Sequence, residues 1–162
     1  MQKKIVLFAM LVIIIVSIVP TQSRQRCAPS FALFSAKGKL VTLKKLVKTE
    51  PVLISFFASY CIPCRREIPE LISLEKKYPN RFRLVLVNID REGKGKALSY
   101  LNSINVERDC LLDKYQMTAE KYMSTPRVPA CFLINKQGQI IFESIGDKKE
   151  SIRKLERIIR SL

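Results

Sequence analysis

The sequence predicts a mixed α/β domain, a central sheet with helices on both faces and a short β-hairpin ahead of it. Three observations carry this reading. "VLISFF" (52–57) and "RLVLVNID" (83–90) are near-continuous apolar runs, the pattern of strands buried on both faces. Each is followed by a segment with apolar residues at helical spacing. Near the C-terminal end, two more strand-like runs are separated by only four residues, which indicates a hairpin and not another crossover. Early alternation with a late hairpin means a sheet with both parallel and antiparallel pairs.

Taken in order, "FALFSAKGKLVT" (31–42) reads as two short strands around a Lys37–Gly38 turn. Thr42 is placed to cap a short helix over Leu43–Lys48, which Pro51 ends. After the 52–57 strand a helix begins within "SYCIPCRREIP" (59–69), with Pro63 in its first turn. Ile68, Leu71, Ile72, Leu74 and Tyr78 form its apolar stripe, and Pro69 is expected to kink it. Beyond the 83–90 strand, Ala97, Leu98, Leu101 and Ile104 mark the next helix. "CLLD" (110–113) is a short strand and 118–124 a short helix. "PACFLIN" (129–135), the turn "KQGQ" (136–139) and "IIFESIG" (140–146) make the hairpin. A last amphipathic helix buries Ile152, Leu155, Ile158, Ile159 and Leu162, with Asp147 and Glu150 spaced for a capping box.

The first 26 residues stand apart. Lys3 and Lys4 precede a 15-residue uncharged run from Ile5 to Val19, closed by Pro20. Such a run, long for the apolar part of a signal peptide and short for a comfortable span, reads as an export signal, cleaved or kept as an anchor. Thr21 and Ser23 supply a weak cleavage site. Arg24-Gln25-Arg26 ahead of Cys27 lacks the small and apolar residues of a lipoprotein signal. The expected division is a signal peptide or membrane anchor over 1–26 and one domain over 27–162, in the periplasm or on the outer face of the cytoplasmic membrane. That compartment is oxidising, so a cysteine pair there forms a disulfide and needs dedicated chemistry to be reduced.

The formal net charge is +15. Lys3, Lys4, Arg24 and Arg26 supply four of these charges in a segment without acids, leaving +11 for the domain. An excess of this size suits anionic lipid or an acidic partner protein. It does not indicate nucleic acid, because the basic residues are spread along the chain and no nucleic-acid motif accompanies them.

Two of the five cysteines, Cys61 and Cys64, have Cys-X-X-Cys spacing. A structural zinc site takes four ligands, yet the chain has no histidine and Cys27, Cys110 and Cys131 stand alone. A bridge over two intervening residues closes too small a loop to act as a staple. Redox chemistry has positive physics. Cys61 lies where a buried strand gives way to a helix, so first-turn N–H groups and the helix dipole favour its thiolate, the nucleophile of disulfide exchange. Arg65 and Arg66 add positive charge. Cys64, one turn further in, is expected to be the more buried and to attack back on a mixed disulfide.

"VLISFFASYCIPCRREIPEL" resembles the active-site segment of the thioredoxin superfamily, and within it the exported TlpA/ResA-type thiol–disulfide oxidoreductases. "VLVNID", "LLDK" and "VPACFLINKQGQIIFESIG" match the later strands in order and spacing, so the resemblance covers about residues 28–160. It implies a thioredoxin-like three-layer α/β/α fold with a mixed central sheet and an N-terminal β-hairpin. Cys61 and Cys64 would form the redox disulfide. Pro129 would be cis, bringing the Val128 backbone beside the sulfurs, and Tyr60, Ile62, Pro63 and Val128 would line the substrate groove. Two departures stand out. Ser55 replaces the buried Asp of thioredoxin, and Phe57 and Tyr60 replace the usual tryptophans. Glu67 fits a carboxylate that the TlpA/ResA pattern carries three residues after the second cysteine. A helix sets it on the side of Cys64, where partial burial would raise its pKa into the range of proton exchange. Glu70 is expected to face solvent.

The activity implied is thiol–disulfide exchange with other proteins, by a monomer, without a cofactor and with no nucleic acid. Its electrons would come from a thiol-transferring membrane donor, with anchoring through residues 5–19 and a place in cytochrome c maturation. The proline of Cys-Ile-Pro-Cys, shared with reducing thioredoxins, favours reduction. A thiol peroxidase is the alternative enzyme, but peroxiredoxins carry Thr or Ser three residues before the reactive cysteine, and Ala58 stands there. A non-catalytic membrane-tethered interaction module would leave the intact cysteine pair without a purpose. Cys110 and Cys131 read as buried small apolar residues, too far apart to bond.

Overall fold

A computed structural model describes residues 26–147 and 150–162. The leader expected over residues 1–26, with its apolar run, lies outside the described residues except for Arg26. Among the described residues no helix is long and apolar enough to cross a membrane.

The elements run β1 (Ala32–Phe34), β2 (Leu40–Thr42), α1 (Leu43–Val47), β3 (Val52–Phe57), α2 (Cys64–Lys77), β4 (Arg83–Asn88), α3 (Lys94–Ser103), β5 (Leu111–Leu112), α4 (Met117–Tyr122), β6 (Ala130–Ile134), β7 (Ile140–Ile145) and α5 (Ser151–Ser161). The central sheet has the order β5-β4-β3-β6-β7. β3 pairs in parallel with β4, and β4 with β5, whereas β6 is antiparallel to both β3 and β7. β1 and β2 form the separate hairpin, turned at Gly38, whose φ of 81° a glycine adopts without strain.

Every residue of β3 is buried. Leu53 and Phe57 face one layer, with Ile68 and Leu71 of α2, Ala97 and Leu101 of α3, and Leu155 and Ile159 of α5. Val52, Ile54 and Phe56 face the other, with Leu43 of α1, Phe31, and Ala119 and Tyr122 of α4. This is the expected three-layer architecture. Each buried Leu, Ile or Phe of β3 contributes roughly 1.5–3 kcal/mol, so the strand is a rigid base from which to hang a reactive turn.

Three local expectations are corrected. Thr42 occupies the N-cap of α1 but makes no side-chain cap, and the first helical N–H, that of Leu43, goes to the Phe31 carbonyl at 3.2 Å. The capping box at α5 does not form. The helix starts at Ser151 with Glu150 itself at the N-cap, and the Asp147 carboxylate is taken by Arg66 at 2.8 Å. Leu162 lies past the end of α5 and is exposed, leaving Leu155 and Ile159 as that helix's fully buried residues. Pro69 is accommodated within one continuous α2, and the Ser73 hydroxyl donates to its carbonyl at 2.9 Å.

Candidate active site

β3 delivers the chain to a tight turn over residues 58–63. Ala58 is fully buried, and its carbonyl accepts the Cys61 N–H at 3.0 Å. α2 starts at Cys64 with Pro63 at the N-cap, where the missing proline N–H is not needed. Cys61 and Cys64 are joined by a disulfide with their Cα atoms 5.4 Å apart. A single first-turn donor, the Cys64 N–H, reaches the Cys61 sulfur, at 3.2 Å. The expected contrast in exposure is small in this oxidised state, since Cys61 is 4% and Cys64 1% exposed. What distinguishes Cys61 is its flanks: Tyr60 and Ile62, 67% and 79% exposed, stand out on either side of it.

Arg66 is not a free charge beside the sulfurs, because it pairs with Asp147. The Arg65 guanidinium lies over the Tyr100 ring, 5.5 Å from its centre. The Val128–Pro129 peptide is cis. Val128 is half-buried, ahead of the β6 ladder that begins at Ala130, and packs against the cluster that includes Cys61 and Cys64. Pro63 is half-buried too.

Glu67 sits on α2, one turn after Cys64, and is half-buried, while Glu70 is exposed. Burial pushes the Glu67 carboxyl above the usual range, and the like charges of Asp147 and Glu70 push the same way. A hydrogen bond from the Cys131 thiol at 2.8 Å and the charge of Arg66 oppose the rise. Cys131 lies opposite Ser55 in the β3–β6 register. Its own thiol is driven well above the ordinary value, chiefly by burial and then by the charge of Glu67. Cys110 is buried just before β5, at the far side of the sheet, and burial pushes its thiol up to about 12. Cys27 is exposed.

Two supports of the turn escape the sequence reading. Asp90, 2% exposed, follows β4 and accepts the Ser59 N–H at 2.9 Å, the Ser59 hydroxyl at 3.0 Å and the Asn88 amide at 2.7 Å. Buried Tyr100 of α3 donates its hydroxyl to the Cys61 carbonyl at 3.0 Å, with its ring stacked on Phe57. A signal for Asp90 did exist: an acid closing an apolar strand, at the sheet end where the cysteine turn sits. Tyr100 carried none. Among the described residues no three His, Cys, Asp or Glu side chains gather to hold a metal.

The arrangement is a disulfide at the end of a rigid strand, with the half-buried Glu67 carboxyl one helical turn beyond Cys64. Comparison with known proteins points the same way. The thiol-disulfide oxidoreductase ResA of Bacillus subtilis is 29% identical over 126 residues, 77% of this chain and 69% of that protein. The thioredoxin-like protein YneN of the same organism is 28% identical over 133 residues, 80% of this chain and 76% of its own. A structure described as a thiol:disulfide interchange protein DsbE, from Chlorobium tepidum, superposes with a TM-score of 0.75 at 28% identity, covering 86% of this chain and 96% of that one. The AhpC/TSA family model matches residues 25–143. The chain therefore belongs to the AhpC/TSA family, as a thioredoxin-like thiol–disulfide oxidoreductase.

Proposed function

We propose that the protein is exported and reduces disulfides of other proteins, with Cys61 as nucleophile, Cys64 as resolving thiol and Glu67 as proton acceptor. The observation that carries this is the Cys61–Cys64 disulfide at the β3–α2 turn, its first sulfur set against a helix N–H between exposed Tyr60 and Ile62. In the reduced protein the Cys61 thiolate attacks a substrate disulfide. A Cys61–substrate bond forms, the substrate bond breaks, and the departing thiolate takes a proton from water. Cys64 passes its proton to Glu67 and attacks the Cys61 sulfur. The Cys61–Cys64 bond closes, and the second substrate sulfur leaves and is protonated. The substrate gains two electrons and two protons, and the dithiol loses them. A membrane dithiol donor restores the protein by the same exchange in reverse.

Tyr60, Ile62, Pro63 and Val128 form the substrate groove in this reading, with cis-Pro129 bringing the Val128 backbone beside the sulfurs to pair with an extended substrate segment. The apolar run over 5–19 supports export and anchoring, and the TlpA/ResA-type resemblance supports a role in cytochrome c maturation. The peroxidase alternative lacks support at position 58, where Ala58 offers no hydroxyl. Insulin reduction with dithiothreitol tests the proposal. Wild type should accelerate it, Cys61→Ser should abolish the acceleration, and Cys64→Ser should accumulate a mixed disulfide with substrate. No acceleration by wild type would favour a binding module, and consumption of peroxide in its place would favour the peroxidase.

A further inference from the structure

The contact between Cys131 and Glu67 joins two residues 64 positions apart, one on β6 and one on α2. Cys131 is 3% exposed, belongs to the same buried cluster as Cys61 and Cys64, and is not part of the disulfide. We propose that the Cys131 thiol is a positioning group for Glu67, holding Oε1 against β6 so that Oε2 is left for proton exchange with Cys64 one helical turn away. This rests on the reading of Glu67 as the proton acceptor.

The chemistry suits the task. A buried thiol with a strongly raised pKa stays protonated across the working range, so it is a dependable donor that does not itself compete for the proton. Ser55, its register partner on β3, stands beside the Cys131 sulfur with a neutral hydroxyl, where thioredoxin would bring a second buried acid. The charges that act on Glu67 are Arg66 and Glu70 from its own helix and Asp147 from the segment after β7, with Cys131 from β6. Of these, Cys131 makes the side-chain hydrogen bond to the carboxyl.

The test compares pH profiles of insulin reduction for full-length wild type, Glu67→Gln, Cys131→Ala and Cys131→Ser. The thiol bond opposes the rise of the Glu67 pKa, so losing the donor lets it rise further. In Cys131→Ala the limb assigned to Glu67 should therefore move up by about half a pH unit or more, the scale of one lost hydrogen bond. Cys131→Ser, which keeps a donor, should restore it. A purely structural role would lower the Tm of Cys131→Ala and leave the limb in place, which overturns the proposal. If Glu67→Gln retains the limb, the reading of Glu67 itself fails. A second readout does not require Cys131→Ala to fold. In the infrared spectrum of the oxidised protein, one S–H stretching band should be absent in Cys131→Ser and move to higher frequency in Glu67→Leu, which offers no acceptor. A band that stays put in Glu67→Leu means there is no Cys131–Glu67 bond, and the proposal falls.

Discussion

The two active-site sulfurs differ less in exposure than in what surrounds them. Cys61 accepts the Cys64 N–H and is framed by exposed Tyr60 and Ile62, whereas Cys64 is the buried first residue of α2. Iodoacetamide should therefore modify Cys61 before Cys64 in the reduced protein, and faster labelling of Cys64 by peptide mass spectrometry would reverse their roles. In the oxidised native protein exposed Cys27 should react, while Cys110 and Cys131, buried and with raised pKa values, should not. Glu67 carries a second consequence. Its folded-state pKa lies above its unfolded value because of burial, so the folded state binds the proton more tightly. Its contribution to stability is full at low pH and is lost as pH rises through the raised value. Glu67→Gln should thus gain stability relative to wild type as pH rises through that window, measured as the difference in urea midpoint. In the activity profile, Glu67→Gln should remove the associated limb. Glu70→Gln, which removes only an exposed like charge, should shift it slightly downward. The place of Glu67 was legible from its fit to the TlpA/ResA-type pattern, with i and i+3 sharing a helix face. Its partner was not: Cys131 read as an inert small residue, since the contact depends on how α2 lies across β6.

At the scale of elements, the site depends on a turn held from two sides. Asp90 beyond β4 fixes Ser59, and Tyr100 of α3 fixes the Cys61 carbonyl. Tyr100→Phe keeps the ring on Phe57 and loses one buried hydrogen bond, so it should cost about 1 kcal/mol in urea unfolding and slow exchange. Asp90→Ala leaves the half-buried donors of Ser59 and the buried amide of Asn88 without an acceptor and should cost about 2–4 kcal/mol. Equal stability of wild type and both variants would show the turn to be held by packing alone. The strands themselves were legible from their near-continuous apolar runs, because burial on both faces leaves little else that the pattern can mean. Helix ends were less so. The capping box at α5 was a match of residue types, but tertiary contact decided otherwise when Arg66 of α2 claimed Asp147. At α1, Thr42 was likewise the right residue type at the N-cap, yet its side chain makes no cap.

For the whole molecule, the order β5-β4-β3-β6-β7 puts the reactive turn on the central strand, with helices packed on both faces to keep it rigid. That architecture followed from alternation and a terminal hairpin, while the cross-sheet contacts of Asp90, Tyr100 and Cys131 required the folded arrangement. In the proposed function, this frame poises Cys61–Cys64 to give electrons to other proteins' disulfides. The most direct test is the reduction potential of the pair, taken from equilibration with glutathione or dithiothreitol buffers. A reductase should show a value near the thioredoxin range, about −270 mV. A value close to about −120 mV, that of a strong oxidant, would contradict the proposed function.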